Sequence, residues 1–208
     1  MNNVQKMIIA FLLIFVAGCV SFFSQINAQS LMEDTKFKYA VAVVLKHEGG
    51  LSNNLQDPGL ITKYGISLRY LIHADIDVNA DKKINKEDVL GLTIEQARSI
   101  YYTQWWKKFR YYKINNALTA AKIFDFSVNA GPEQSTKIIQ RALIALGNKN
   151  VKVDGNLTDE VFDLINSSDQ MQLHSQLSHF EEQFYLLIIS NNSSLKIFKK
   201  GWLKRANS

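Results

Sequence analysis

The stretch VVLKHEGGLSNNLQDPGLITKYGIS, residues 43–67, joins the end of an apolar helical pattern to a loop rich in turn-forming residues. The apolar pattern begins near Tyr39 and is compatible with a buried helix. Gly49 and Gly50 end this helix, since glycine adopts the backbone conformations that terminate helices. Glu48 is therefore expected in the last turn, where the negative end of the helix dipole and apolar neighbours disfavour its ionised form.

A second carboxylate and a hydroxyl follow on the loop. Eight residues separate Glu48 from Asp57, and four separate Asp57 from Thr62. An isolated glutamate before two glycines is more often a solvated residue beside a helix end than a functional one. A helix-borne acid together with a loop-borne carboxylate and a hydroxyl, however, supplies the groups that cleavage of a glycosidic bond requires.

This block resembles the Glu-Gly-Gly and Asp-Pro-Gly-Gly-x-Thr-x-Tyr-Gly-Ile signature of the glycoside hydrolase family 108 N-acetylmuramidases. Its order of Glu, Asp and Thr is also similar to that of phage-type lysozymes. The resemblance implies that Glu48 is the general acid, that Asp57 stabilises the transition state or orients water, and that Thr62 holds this water. Leu60 stands where the family usually has a second glycine, which changes the backbone conformations open to the loop.

The resemblance continues in order along the chain and covers nearly all of residues 37–205. Its further matching segments are Leu92-Thr93, Glu95-Gln96-Ala97, Tyr101, Trp105-Trp106, residues 124–132, Ile139-Gln140-Arg141-Ala142, Val153-Asp154-Gly155, and Gly201-Trp202 with Arg205. The resemblance implies a lysozyme-like catalytic region over residues 33–128 and a helical peptidoglycan-binding region over residues 129–205 that packs on it. It also implies substrate contacts for Tyr64 and Asn129.

Composition and periodicity predict a mainly α protein. The chain has 208 residues, of which 47% are hydrophobic, and only two prolines, so it can bury a substantial core. Segments with helical periodicity cover residues 94–109, 118–126, 133–146, 159–165 and 171–189. Helix starts are indicated by Thr93 with Gln96, by Pro132 and by Thr158. We expect a lysozyme-like helical fold with a cleft and a small loop or hairpin region after the first helix.

The first residues form a secretory signal. Lys6 precedes an almost wholly apolar run over residues 7–23, and small and polar residues follow as far as Ala28. Cleavage after Ala28 would leave residues 1–28 as the signal peptide. A lipoprotein signal to Gly18, with a lipid on Cys19, and an uncleaved membrane anchor are the two alternatives. Each predicts export to the periplasm, the cell envelope or the extracellular space.

Charge and cysteine content restrict the partners and the chemistry. Cys19 is the only cysteine, so no intrachain disulfide can form. The formal charge of +5 favours anionic polymers such as the bacterial wall, and secretion argues against nucleic acid. The basic cluster around Trp202, namely Lys199, Lys200, Lys204 and Arg205, is interpreted as a solvated helix end. We expect peptidoglycan as the partner, membrane contact only through the N-terminal signal or a lipid on Cys19, and a monomer.

A second pattern resembles the calcium loop of dockerin modules and EF-hands. Asp77, Asn79, Asp81, Lys83 through its carbonyl, and Asp88 take loop positions 1, 3, 5, 7 and 12. Two features depart from the usual loop, because Lys82 replaces the turn glycine and Asp88 is shorter than the usual glutamate. An Asp- and Asn-rich surface turn is the alternative. A bound calcium ion would be structural, and we expect no cofactor to be required for catalysis.

Aromatic and histidine side chains are less specific. The aromatic cluster over residues 101–112 could stack on sugars, but adjacent rings on a helix point in different directions, so about half must serve the core. His47 precedes the acid and is a candidate for tuning it. The other histidines, His73, His174 and His179, show no metal-ligand spacing and are interpreted as structural or exposed.

The resemblance implies hydrolysis of the β-1,4 bond between N-acetylmuramic acid and N-acetylglucosamine. The same single-acid layout would suit a lytic transglycosylase, which adds no water. A non-catalytic peptidoglycan-binding protein is a third interpretation, which Leu60 favours. The joint presence of the acid, the second carboxylate and the hydroxyl opposes it. A phage endolysin, a wall remodeller of a secretion system and a bacterial autolysin are all compatible with the sequence.

Overall fold

The computed structural model describes residues 35–48, 51–52 and 61–208, with the backbone alone at 51–52. The predicted signal segment with Cys19, the catalytic candidate Asp57, and Leu60 lie outside the described residues. Within the described part, none of the helices combines the length and the apolar character that a membrane span needs.

The fold is mainly α, as predicted. The α-helices of the described residues are α1 Thr35–Glu48, α2 Leu68–Ala74, α3 Lys86–Gly91, α4 Ile94–Tyr101, α5 Ala117–Ala130, α6 Pro132–Ala145, α7 Asp159–Ser167, α8 Gln170–Asn191 and α9 Lys199–Ala206. A π-helix spans Tyr102–Lys107, and 3-10 helices span Tyr111–Lys113 and Ser193–Phe198. The small sheet has β1 Leu51–Ser52, β2 Thr62–Lys63 and β3 Ile66–Ser67, antiparallel and in that order.

Helix α5 is the centre of the fold. Its nine consecutive residues 119–127 are all buried, which is the pattern of a helix covered on every side. Helices α1, α6 and α8 and the π-helix pack around it. The Phe124 ring lies 5.5 to 6.2 Å from the rings of Phe37, Tyr101, Trp106 and Tyr111. These aromatic contacts join the first helix to the middle of the chain, so the end of α1 has a fixed position.

The predicted helix starts are confirmed. Thr93 and Gln96 form a reciprocal capping box, with hydrogen bonds of 3.1 and 2.8 Å between each side chain and the backbone N–H of the other residue. Pro132 occupies the first turn of α6, and the Thr158 hydroxyl accepts a hydrogen bond from the Val161 N–H at the start of α7.

The prediction of one regular helix over residues 94–109 is wrong in its second half. The α-helix ends at Tyr101 and widens into the π-helix. The Thr103 hydroxyl donates a 2.9 Å hydrogen bond to the Ser99 carbonyl at this point, and such back-bonding perturbs the backbone ladder of a helix. The segment buries Tyr101, Tyr102 and Trp106 and leaves Trp105 partly exposed.

Candidate active site

Glu48 lies at the end of α1, and the sheet begins after a connection of two residues. Its side chain is 21% exposed. The β2–β3 turn packs against it, because a Cβ atom at Gly65 would lie 2.6 Å from Glu48 Cγ and would also collide with the Tyr101 hydroxyl. Gly65 has a φ of +78°, which favours glycine for a second reason. The acid is therefore confined by a turn that has no room for a side chain at position 65.

Thr62 and Tyr64 belong to the same hairpin. Thr62 is the first residue of β2, is partly exposed, and lies between Ser52 and Ser67 in the sheet register. Tyr64 has a φ of +54°, and its carbonyl accepts a 2.9 Å hydrogen bond from the Tyr101 hydroxyl. That bond fixes the turn on α4. Both predicted residues are thus on the element that contacts Glu48 through Gly65, whereas the structure does not describe the third candidate, Asp57.

A chain of charged side chains leads from Glu48 into the core. Arg205 Nη2 donates to Glu48 Oε1 at 2.7 Å. The same guanidinium binds Asp125 through two bonds, Nε to Oδ2 at 2.7 Å and Nη2 to Oδ1 at 2.8 Å. His47 Nδ1 lies 3.1 and 3.2 Å from the two oxygens of Asp125. Four residues from α1, α5 and α9 therefore form one continuous network.

Asp125 and Arg205 are both charged in this network. Burial alone would raise the pKa of the Asp125 carboxyl, but the hydrogen bonds from His47 and Arg205 and the guanidinium charge outweigh it and hold this pKa below its usual value. Burial alone would lower the pKa of the Arg205 guanidinium, but the hydrogen bonds and charges of Asp125 and Glu48 outweigh this effect and raise the pKa above its usual value. The two form a bidentate ion pair, 6% and 9% exposed.

The interpretation of Arg205 as part of a solvated helix end is wrong. Lys199, Lys200 and Lys204 are exposed, but Arg205 is buried and contacts the acid. The sequence contained one signal for its partner, since Asp125 interrupts the apolar run over residues 123–126 and a buried charge needs a counter-charge. The identity of that counter-charge, 80 positions away, had no local signal.

Asn129 lies one helical turn after Asp125 on α5. Its side-chain oxygen accepts a 2.8 Å hydrogen bond from the Tyr185 hydroxyl of α8. The Tyr185 ring stacks on Trp202 with 5.2 Å between ring centroids, and Trp202 lies one turn before Arg205 on α9. The structure thus places this exposed residue near the network, and its predicted contact with substrate stays a prediction.

Two known protein families match successive regions of this chain. Residues 41–131 match the family described as Glycosyl hydrolase 108, and residues 134–207 match the family described as Predicted Peptidoglycan domain. The region over residues 41–131 belongs to glycosyl hydrolase family 108. Membership indicates peptidoglycan hydrolase activity, with peptidoglycan as the partner. The hydrogen bond from Arg205 to Glu48 joins this family 108 region to the peptidoglycan domain.

The fold also has a counterpart among solved structures. The structure titled "Structure of Brucella abortus SagA" is similar, with a TM-score of 0.65, 23% sequence identity, and coverage of 82% of this chain and 89% of that chain. At 23% sequence identity, this similarity shows only that the two proteins share a fold. No curated protein matches the chain.

A second buried pair of titratable side chains lies behind the network. Lys122 Nζ is 3.2 Å from Glu181 Oε2, and both side chains are almost fully buried. Burial raises the pKa of Glu181 to about 8, although the Lys122 charge and hydrogen bond act in the opposite direction. Lys122 also donates a 2.7 Å hydrogen bond to the Ala206 carbonyl. It therefore anchors the end of α9, the helix that carries Arg205.

This pair predicts a pH dependence of stability. The pKa of Glu181 is raised from its usual 4.5 to about 8, so between these values the folded protein holds a proton that the unfolded chain releases. The contribution is complete below pH 4.5 and is lost as the pH rises toward 8, by at most about 1.4 kcal/mol per pH unit. Urea unfolding between pH 5 and 8 should show a steeper decline for the wild type than for Glu181→Gln. Equal slopes would contradict the raised pKa.

The predicted calcium loop has a well-defined conformation. Both Asp77 oxygens accept 2.7 Å hydrogen bonds from backbone N–H groups, those of Ala80 and Lys82. Lys82 has a φ of +67°, the left-handed conformation that glycine normally supplies at this position. Asp88, by contrast, is fully buried and accepts hydrogen bonds from backbone N–H groups on both oxygens, including the 2.8 Å capping bond from Asn85.

The remaining predicted ligands lie along the same turn. Asn79 and Asp81 are linked by a 2.9 Å hydrogen bond from the Asp81 N–H to the Asn79 side-chain oxygen, and Asp81 accepts 2.8 Å from the Lys83 N–H. In the described ranges, no three or more His, Cys, Asp or Glu side chains are grouped closely enough to hold a metal ion. Any calcium site here would depend on amide and backbone oxygens as well as on Asp77 and Asp81.

A groove of about 420 Å³ lies where the two matched regions meet. Lys108, Phe109 and Arg110 line one wall, and residues from the start of α6 and the 155–158 turn line the other. Arg110 donates hydrogen bonds to Asp159 and to the Leu157 carbonyl, which tie the walls together at 2.7 and 2.8 Å. The groove thus combines basic, aromatic and amide groups.

Proposed function

We propose that the protein is an N-acetylmuramidase that hydrolyses the β-1,4 bond between N-acetylmuramic acid and N-acetylglucosamine. Glu48 is the general acid that protonates the leaving oxygen. The observation that carries the proposal is the partly exposed Glu48 carboxylate, whose Oε1 is held by Arg205 at 2.7 Å. No hydrogen bond from the described residues reaches Oε2. In the proposed mechanism Arg205 fixes the orientation of the carboxyl group through Oε1, and Oε2 transfers the proton.

Asp57 and Thr62 complete the proposed chemistry. Asp57 stabilises the oxocarbenium-like transition state or orients water, and Thr62 holds this water. The position of Thr62 on the hairpin that touches Glu48 through Gly65 supports its part. The stereochemical outcome depends on the separation of the two carboxylates, about 6.5 to 9.5 Å for inversion and about 5 to 5.5 Å for retention.

The region over residues 129–205 is proposed to bind the wall. The match of residues 134–207 to a peptidoglycan domain supports this proposal, as does the basic and aromatic groove at the junction. The N-terminal segment is proposed to direct export of the enzyme, with cleavage after Ala28, lipidation of Cys19 and an uncleaved membrane anchor as the alternatives. Family membership indicates a location related to the cell wall.

Digestion of purified peptidoglycan tests the proposal, with the released fragments identified by mass spectrometry. Reducing N-acetylmuramic acid ends are the expected products, because a muramidase adds water to the muramic acid carbon. Anhydro ends would instead assign the enzyme to the lytic transglycosylases. Absence of fragments from the folded protein, on walls of several chemotypes, would leave a wall-binding function without catalysis.

Calcium binding by the loop over residues 77–88 is a separate proposal, supported by the left-handed Lys82 and the Asp77 turn. Calcium at about 100 times its dissociation constant would stabilise the fold by about 2.7 kcal/mol. For a chain of this length the melting temperature should rise by about 5 to 10 °C relative to EGTA. Asp81→Asn should reduce the rise. Equal melting temperatures in calcium and EGTA would leave the loop as a surface turn.

A further inference from the structure

The contact between Arg205 and Glu48 has two opposing effects on a general acid, because it orients the carboxyl group and also favours its ionised form. A general acid must carry its proton at the working pH, whereas a guanidinium at hydrogen-bond distance favours the ionised form of a carboxyl group. Arg205 nevertheless lies 2.7 Å from Glu48 Oε1. The orienting contact would therefore oppose catalysis if the guanidinium charge acted on Glu48 alone.

Asp125 changes the charge that Glu48 meets. It binds the same guanidinium through two hydrogen bonds of 2.7 and 2.8 Å, and its side chain is only 6% exposed. Because little water screens the pair, the negative charge of Asp125 also acts on Glu48 and offsets part of the effect of the guanidinium charge. A bidentate pair also fixes the plane of the guanidinium, so the remaining donation from Nη2 has a defined direction.

We propose that Asp125 and Arg205 form a charge-balanced clamp, in which Arg205 positions Glu48 for proton donation and Asp125 prevents this contact from ionising the acid. Both are positioning residues, since neither is placed on the substrate. The proposal rests on the proposed role of Glu48. It further assigns to the peptidoglycan domain, which carries Arg205, a part in completing the hydrolase site.

The structure describes several other titratable groups near the clamp. His47 Nδ1 lies 3.1 and 3.2 Å from the two Asp125 oxygens, and Lys122 Nζ lies 3.2 Å from Glu181 Oε2. Burial raises the pKa of the Tyr101 and Tyr185 hydroxyls, so both stay neutral in the pH range of interest. Arg205 and Asp125 are thus the two charged side chains of the clamp. Burial raises the pKa of Glu181 to about 8, so this carboxyl group is mostly neutral below that pH.

Charge substitutions within the clamp test the proposal by the direction of their effects. Asp125→Asn keeps the shape but leaves the guanidinium uncompensated, so the alkaline limb of the pH–activity profile should move down by about one pH unit or more. Arg205→Gln leaves the Asp125 charge near the acid, so the limb should move up by a similar amount. The double variant restores neutrality, and its limb should return to the wild-type position.

The orientation of Glu48 gives a second readout. Both variants that lack Arg205 should lose kcat by about 10²-fold, because a small misplacement of a catalytic group has an effect of this size. The double variant should therefore combine a wild-type pH limb with a low kcat. If Asp125 and Arg205 had only a structural role, both single variants would lose activity, but their alkaline limbs would not move in opposite directions. Circular dichroism and thermal unfolding identify variants that fail to fold.

Carbon-13 NMR titration of the Glu48 carboxyl, assigned with Glu48→Gln, separates this proposal from the proposed function. It measures the titration of Glu48 in each folded variant whether or not the protein cleaves peptidoglycan. Opposite shifts in the two single variants and none in the double variant are expected. Shifts in the same direction, or no shift in either folded single variant, would overturn the clamp. Inactive wild type with the expected titrations would overturn the muramidase proposal alone.

Discussion

Glu48→Gln is expected to lower peptidoglycan hydrolysis by about 10² to 10⁴-fold, the usual contribution of a general acid. The amide oxygen of glutamine can still accept the hydrogen bond from Arg205, so the fold and the clamp should persist. What is lost is the proton that the leaving sugar oxygen needs. Release of soluble fragments, followed over time at several enzyme concentrations, measures the effect.

Glu160→Gln is the matched control for this substitution. Glu160 is exposed in the first turn of α7, outside the network around Glu48, and the change removes the same charge. Activity equal to that of the wild type is expected. If Glu48→Gln retained wild-type activity while folded, the acid would have to be another residue, and the proposed mechanism would fail.

Gly65→Ala should also reduce activity strongly, by about 10²-fold in kcat/KM. The new Cβ would collide with the Tyr101 hydroxyl and lie 2.6 Å from Glu48 Cγ, so the acid must move. The left-handed backbone at position 65 adds a cost of about 1 to 2 kcal/mol for a residue with a Cβ. Kinetics with soluble wall fragments and urea unfolding measure the two effects separately.

Gly91→Ala is the corresponding control, because Gly91 ends α3 and a Cβ there meets no atom within 4 Å. It should leave activity unchanged. Wild-type activity for Gly65→Ala would show that the turn can shift without displacing Glu48, contrary to the tight packing described above.

Local features of this fold were predictable from the sequence. Helix starts depend on side chains within three or four residues of each other, which is why the capping box at Thr93 and the early proline of α6 were found. The carboxylate at the end of α1 followed from the apolar pattern and the two glycines. The mainly α fold followed from periodicity over long segments.

Features that depend on distant partners were not predictable. Arg205 stands in a basic segment whose pattern is typical of a solvated helix end, and only the buried Asp125 makes it part of the site. The widening of the helix at Tyr102 was missed for a related reason. The hydroxyl of Thr103 competes for backbone carbonyls, an effect that hydrophobic periodicity does not register.

The 157 positions between Glu48 and Arg205 have a consequence for the time at which the enzyme acquires activity. During synthesis from the N-terminus at roughly 5 to 20 residues per second, the acid precedes its partner by about 8 to 31 seconds. A chain that is unfinished, still unfolded, or cut ahead of α9 contains Glu48 without the guanidinium that orients it. Newly made enzyme should therefore stay harmless until both distant segments have met in one folded molecule.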